Sequence, residues 1–309
     1  MDRQNAILGV LTADAASMGL HWLYDQEHIG LIENTGDLLF RQPDAAHYKE
    51  RKGYFAHSGK LAGDLSHYGE SARVVWQLVK VQPFDVRAYQ LRFEAAFGAC
   101  GTYQGYADRP TKALIARMIT DGEDLIARSG MDDNQMPAFC VLGGMFAAGN
   151  DLTAIEAAAA VISVHDDVMV GVKAVTHCLE LVAAGTALTE ALNQSAVKAD
   201  GELGQLLSEA LQMKPGAPLP AATHFGMACY VHHALPVVWY LLNSAESFES
   251  VVRDNIRCGG DSCGRSMALG AIAGLAFGVP DSMTGQLGGA TLPLRRPLLQ
   301  LHQNALVNA

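Results

Sequence analysis

Glycines 270, 274 and 278 stand four residues apart in a run otherwise made largely of Ala, Leu, Ile and Met. Four residues is close to one helical turn, so this spacing sets all three near one stripe of a helix. A stripe without side chains lets a second helix approach backbone to backbone. A chain carrying such a stripe must supply the partner helix.

The other segments point the same way. Ile7 to Leu23 is almost continuously apolar and small, interrupted by Asp14, and reads as a buried helix. Helical spacing recurs in 70–80 and 86–99, and proline placement starts a helix at Pro110. Ala154 to Val164 is nearly all Ala, Val and Ile. A helix capped by Asp166 or Asp167 follows and runs to about Ala184. Further helices are expected over 187–197, 230–242 and 248–257. Asp261 or Ser262 caps the last long one, which stops at Gly278-Val279-Pro280. Residues 36–66 have no clear period and read as a long loop. No Asn-Gly hairpin and no sustained alternation signals a strand. The expected fold class is all-α, a single-domain multi-helix bundle over residues 1–309.

Charge and composition exclude several function classes. Half of the 309 residues are apolar, 17% are charged and the net charge is −10. No Lys/Arg run exceeds two, so nucleic acid and anionic membranes are poor partners. The longest apolar candidate, Met267 to Val279, is too short for the ~20 residues of a membrane crossing. The N-terminus, MDRQNAILGV, begins with an acid and has no leader-type cleavage site. The six cysteines form no CxxC pair and read as buried reduced thiols. A soluble cytoplasmic protein is expected.

Five features carry candidate chemistry. Asp14 lies too deep in its helix for an N-cap. Buried and unpaired it would cost several kcal/mol, so it needs a backbone N–H, a distant Arg, or a metal and its water. Asp261 follows Gly259-Gly260 and either caps its helix or faces a cavity there. Glu70 opens a helix, where acids favour the dipole, and Asp64 serves the same cavity or a turn. His165-Asp166-Asp167 is either a divalent-ion cluster or a helix start. Gly105-Tyr106-Ala107-Asp108 is either a turn and cap or a ligand loop. His232-His233 reads as core-edge histidine. No nucleotide-binding glycine fingerprint, HExxH or GxSxG is present.

The order of these pieces resembles the ADP-ribosylglycohydrolase superfamily over nearly the whole chain. Residues 233–278 are the most specific part. GLHWLYD, SHYGE and GYADRPTK are most similar to its J1-crystallin and selenoprotein J branch. The resemblance implies an all-helical, roughly orthogonal bundle and hydrolysis of an N- or O-glycosidic bond to ADP-ribose at a two-Mg²⁺ site. The partners implied are an ADP-ribose-containing small molecule or an ADP-ribosylated protein. Carried over residue by residue, it assigns catalysis to Glu70, Asp261 and Asp14 and metal ligation to Glu70 and Asp261, with Asp64 expected as a further ligand from its place just before the same helix start. Substrate binding falls to His165, Asp166 and Ser262 at the matched positions, and to Tyr106 and Asp108 where the 105–108 segment is read as a ligand loop.

The pattern is incomplete. Tyr68-Gly69-Glu70-Ser71 supplies one carboxylate where Thr-Asp-Asp-Thr is expected. Cys263 and Gly264 stand where the second acid and the hydroxyl residue belong. Mg²⁺ prefers oxygen ligands, so one ion or none is expected. The alternatives are a catalytically silent ADP-ribose or nucleotide binder, a crystallin-like structural protein, and a redirected hydrolase using Cys263 as nucleophile.

Overall fold

The structure is a computed structural model and describes residues 1–121 and 129–288. Fifteen α-helices run through the described residues and no strand does. The first five are α1 (Gln4–Ser17), α2 (Gln26–Glu33), α3 (His67–Val79), α4 (Val86–Phe97) and α5 (Arg109–Asp121). Next come α6 (Val141–Ala147), α7 (Leu152–Ala160), α8 (Asp166–Ala183), α9 (Leu188–Lys198) and α10 (Gly201–Gln212). The last five are α11 (Pro218–Phe225), α12 (Val231–Asn243), α13 (Phe248–Arg257), α14 (Ser262–Phe277) and α15 (Asp281–Thr284).

Helices α1 and α14 are the central pair and share the most extensive helix–helix contact. Both are apolar around most of their circumference, as a helix enclosed by others must be. Their backbones meet at the glycine stripe. A Cβ on Gly9 would lie 2.0 Å from the Gly270 carbonyl oxygen, and one on Gly274 would lie 2.3 Å from that of Asn5. Helices α3 and α6 pack on α1, and α8, α12 and α13 pack on α14. Helix α13 shows the outer pattern: Phe248, Val251, Val252 and Ile256 face inward, while Arg253 and Arg257 pair with Asp37 and Glu33.

Asp14 lies inside α1 with no exposure and ties that helix to the start of α3. It accepts from the Ser66 backbone N–H at 2.8 Å and from the Ser66 hydroxyl at 2.5 Å. Ser66 is itself the N-cap of α3, its Oγ accepting from Tyr68 N–H at 3.1 Å. Of the expected partners for Asp14, the structure supplies the backbone N–H. Gly69 is required beside it, because a Cβ there would stand 2.2 Å from an Asp14 oxygen. Burial pushes the Asp14 carboxyl up to about 6, against the lowering effect of the Ser66 hydrogen bonds.

Several expectations are corrected. The first helix ends at Ser17, not Leu23; a 3₁₀ turn, Met18–Leu20, follows. Trp22 then takes a left-handed φ of 63°. Its N–H donates to Gly260 at 2.7 Å, and Gly260 N–H donates to Leu23 at 2.7 Å, so tertiary bonds override the helical pattern. The cap of α8 is His165, whose Nδ1 accepts from Asp167 N–H at 3.2 Å; the two aspartates occupy the first turn. Helices α2, α6, α10, α11 and α15 carried no clear signal. In α6, Gly143 and Gly144 lower intrinsic propensity by ~1 kcal/mol each, but they admit Val10 and Trp76 at close range. Cys100 is exposed and Cys229 half-buried, so only four of the six free thiols are buried. No helix among the described residues is long and apolar enough to cross a membrane.

Packing and burial make Gly270, Gly30 and Asp14 testable. Gly270→Ala puts a Cβ 2.6 Å from the Gly9 carbonyl oxygen and is expected to cost ~1–3 kcal/mol, read as a lowered thermal midpoint. Gly30→Ala in α2 meets nothing within 4 Å and is expected to stabilise by up to ~1 kcal/mol. Asp14 binds its proton more tightly folded than unfolded, so its contribution to stability rises as pH falls from about 7 towards 4. Asp14→Asn is expected to remove that rise. The difference in unfolding free energy between variant and parent should change by about 3 kcal/mol across the window, in denaturant titrations at several pH values.

Candidate functional site

The chain places its chemistry around the start of α3, in two compartments. One is a sealed polar cluster and the other is an open cavity.

The sealed cluster starts at Asp261. Gly259 and Gly260 have φ of 72° and 65°, a left-handed pair that only glycine adopts without strain. A Cβ on Gly260 would stand 2.2 Å from the Met227 carbonyl oxygen. Buried Arg265 holds this turn from beneath, donating to the Gly259 carbonyl at 2.7 Å and to Asn255 Oδ1 at 2.7 Å. Asp261 therefore sits at the N-cap of α14 with no exposure. Its Oδ1 accepts from Gly264 N–H at 3.2 Å and from His21 Nε2 at 2.8 Å. Its Oδ2 accepts from the Tyr68 hydroxyl at 3.2 Å. The cap expected from the sequence is present, and a face open to a cavity is not.

From His21 the cluster extends outward. His21 Nδ1 lies 2.7 Å from His57 Nε2, and the two rings stack with centroids 5.0 Å apart. His67 stacks at 6.0 Å from His21, and its Nε2 lies 3.2 Å from Asp108. All three histidines are buried. Burial pushes the Asp261 carboxyl up, but the His21 hydrogen bond and the nearby positive charge outweigh it and hold it below the usual carboxylate value. Burial holds His21 and, more strongly, His57 below the usual histidine value. The pair is therefore a neutral imidazole donating N–H to a carboxylate. Asp108 is held low too: the His67 and Thr111 hydrogen bonds exceed the upward push of burial.

Trp22, Tyr54 and Tyr106 form an aromatic group beside the cluster. Tyr106 meets Trp22 edge-on at 5.0 Å and Tyr54 at 5.8 Å, and His67 lies 5.2 Å from Tyr106. Tyr54 is exposed and Tyr106 half-buried.

The open compartment is a cavity of about 250 Å³ lined by Lys60, Asp64, Glu70, Tyr103, Gln104 and Gly288, among others. Glu70, in the first turn of α3, accepts from Arg73 Nε at 2.6 Å. Asp64 Oδ2 also accepts from Leu61 N–H at 2.9 Å, so it serves the turn as well as the cavity. Lys60 lies over the Tyr103 ring at 4.5 Å, and the Tyr103 hydroxyl donates to the Tyr106 carbonyl at 2.9 Å, joining the cavity wall to the aromatic group.

Of the residues singled out in the sequence, Asp14, Glu70 and Asp261 surround the start of α3, but only Glu70 and Asp64 line the cavity. Tyr106 stands beside its wall. Asp108 caps α5, accepting from Thr111 N–H at 2.7 Å. Ser262 is buried and its hydroxyl donates to the Ser17 carbonyl at 3.4 Å. His165 and Asp166 do not line the cavity. His165 pairs with Asp167, which also meets His232 at 3.4 Å, and Asp166 is exposed. Burial pushes the Cys263 thiol well above its usual value, opposite to what a nucleophile at a helix start needs.

Sequence reasoning missed His21, His57 and His67. Helical phase gave no sound signal for His21: it follows Asp14 by seven residues, but α1 ends at Ser17 and His21 is already extended backbone. His57 and His67 come from a loop and a helix start with no period to place them.

The donor set does not fit an Mg²⁺ site on Glu70, Asp261 and Asp64. The oxygens of Asp261 are occupied by His21, Tyr68 and Gly264, and it faces a different compartment from the other two. Among the described residues, the one group of three or more whose potential ligand atoms lie within 4.8 Å of one another is His21, His57 and Cys263, nitrogen and sulfur donors.

Known proteins resemble this chain throughout its length. Crystallin J1A of Tripedalia cystophora is 23% identical, covering 88% of this chain and 87% of that protein. A solved structure described as an ADP-ribosylglycohydrolase-related protein complex superposes with a TM-score of 0.68 at 14% identity, covering 93% of this chain and 92% of its own. That likeness shows the fold. The family model for ADP-ribosylglycohydrolase matches residues 3–308, and the chain belongs to the ADP-ribosylglycohydrolase family.

Proposed function

We propose that this protein is a hydrolase of the ADP-ribosylglycohydrolase type, cleaving an N- or O-glycosidic bond to ADP-ribose or a related ribosyl unit in the cavity at the start of α3. The observation that carries this reading is that the Glu70 and Asp64 carboxylates face one open cavity of about 250 Å³. Family membership supports the same class of chemistry.

The cavity is below the roughly 300–1,000 Å³ of sites that enclose a whole drug-sized ligand. It takes a ribosyl unit, with the rest of the substrate outside. The Trp22–Tyr54–Tyr106 group offers apolar faces on which an adenine stacks. Lys60 supplies a cation for a phosphate oxygen at the wall.

In the reaction, Glu70, oriented by Arg73, takes a proton from water as its oxygen bonds to the anomeric carbon. The glycosidic bond breaks, and the proton passes to the leaving group. Asp64 places negative charge beside the developing oxocarbenium ion. Asp14 and Asp261 act from behind, fixing Ser66 and Tyr68 and thereby the first turn of α3.

A specific observation favours a second reading, a catalytically silent binder or crystallin-like protein. Asp261, the acid that matches the family's C-terminal motif, is bound on both oxygens by protein groups. The likeness to Crystallin J1A agrees with it.

Incubation with ADP-ribosylated peptide and with O-acetyl-ADP-ribose, read as free ADP-ribose, separates the two. Release is expected with and without added Mg²⁺, and Glu70→Gln should lower the rate ~10²–10⁴-fold while the fold is retained. Saturable ADP-ribose binding without release identifies the silent binder. Neither binding nor release leaves the structural reading.

A further inference from the structure

We propose that His21, His57 and Cys263 form a binding site for one Zn²⁺ ion, with Asp261 as the outer carboxylate that orients His21. The site is separate from the cavity of the proposed reaction and does not depend on that reading.

Four observations converge on it. Potential ligand atoms of the three residues lie within 4.8 Å of one another, and all three side chains are buried. His21 donates Nε2–H to Asp261 at 2.8 Å, which leaves Nδ1 with its lone pair, accepting from His57 Nε2–H at 2.7 Å. A carboxylate on the outer N–H is the usual arrangement for a metal-bound imidazole, fixing its tautomer and raising its basicity. His57, 2% exposed, has no hydrogen-bond partner for Nδ1 among the described residues, so none of them holds its tautomer, and its Nε2 is free to present a lone pair once its proton sits on Nδ1. The charges also match. A Cys263 thiolate with the Asp261 and Asp14 carboxylates sets three negative charges against a divalent ion and the buried Arg265 guanidinium, as a buried site requires.

The chemistry of the donors selects the ion. Two imidazoles and a thiol are a borderline-to-soft set, suited to Zn²⁺ and unsuited to Mg²⁺ or Ca²⁺. Tetrahedral zinc with Zn–N of ~2.0–2.1 Å and Zn–S of ~2.3 Å holds paired nitrogens about 3.3 Å apart and nitrogen and sulfur about 3.6 Å apart. Binding therefore replaces the His21–His57 hydrogen bond, moves the His57 proton from Nε2 to Nδ1, opens that pair by roughly half an ångström and brings in the sulfur, which now lies within 4.8 Å of both nitrogens. The Cys263 thiol proton leaves to solvent as the thiolate coordinates. Three protein ligands leave a fourth position for water.

The test begins with the intact chain. Protein purified from zinc-supplemented cells is expected to carry one Zn²⁺ per chain by elemental analysis. Its zinc K-edge absorption should fit two nitrogens and one sulfur at the distances above. Cobalt in place of zinc should show a thiolate-to-cobalt charge-transfer band. Cys263→Ser should remove that band, and His57→Gln and Asp261→Asn should each weaken zinc affinity ~10–100-fold, with helical circular dichroism confirming the fold. His165→Ala, outside the cluster, should change nothing. No zinc after purification and none taken up on dialysis overturns the site, as does a shell lacking sulfur. The spectra of the parent protein decide the matter if Cys263→Ser does not fold. A His21–His57 N–H···N bond that persists unchanged when zinc is added overturns the site and makes the cluster a hydrogen-bond relay.

Discussion

The close approach of α1 and α14 is the constraint on which the rest of the molecule depends. At Gly9, Gly270 and Gly274 the two backbones leave no room for side chains. Their contact brings the end of the first helical segment to the start of the last. The turn at His21-Trp22-Leu23 and the turn at Gly259-Gly260-Asp261 then exchange backbone hydrogen bonds at 2.7 Å. Trp22 accepts a left-handed φ of 63° there, a strain of order 1–3 kcal/mol tolerated because both flanks are locked. The result is directional: His21 points inward to Asp261, and Trp22 faces Tyr106 and Tyr54.

Burial then divides the acids by role. Asp14 and Asp261 have no exposure and satisfy their oxygens with Ser66, Tyr68, His21 and Gly264. Both hold the first turn of α3 from inside. Glu70, one turn further along, is the carboxylate that reaches the cavity, with Asp64 from the preceding loop. A two-metal carboxylate centre needs all of them on one face. Here histidine rings and a tyrosine hydroxyl fill the space around Asp261, which converts a hard-ion environment into one of nitrogen and sulfur donors.

Much of the fold was legible because helical periodicity is local. The spans of α4, α9, α12 and α13 were readable to within about two residues from apolar spacing and caps. The Asp261 cap was readable from the Gly-Gly-Asp-Ser order, and Gly270 and Gly274 announced a backbone-to-backbone partner, while Gly278, the third of the expected stripe, caps the helix end and meets nothing within 4 Å. Helices α2 and α6 were not readable: Gly30, Gly143 and Gly144 weaken their propensity, and packing on neighbours overrides it. The end of α1 was misjudged because the bonds that stop it come from Gly260, far away in sequence.

The sequence by itself determined an all-helical, charge-poor chain with acids at Asp14, Glu70 and Asp261, since spacing, capping and composition act over a few residues. Only the tertiary structure decided which acids are sealed and which is open. It also decided that His21, His57 and Cys263 meet: they lie on three segments separated by more than thirty residues, and no local pattern records what a fold brings together.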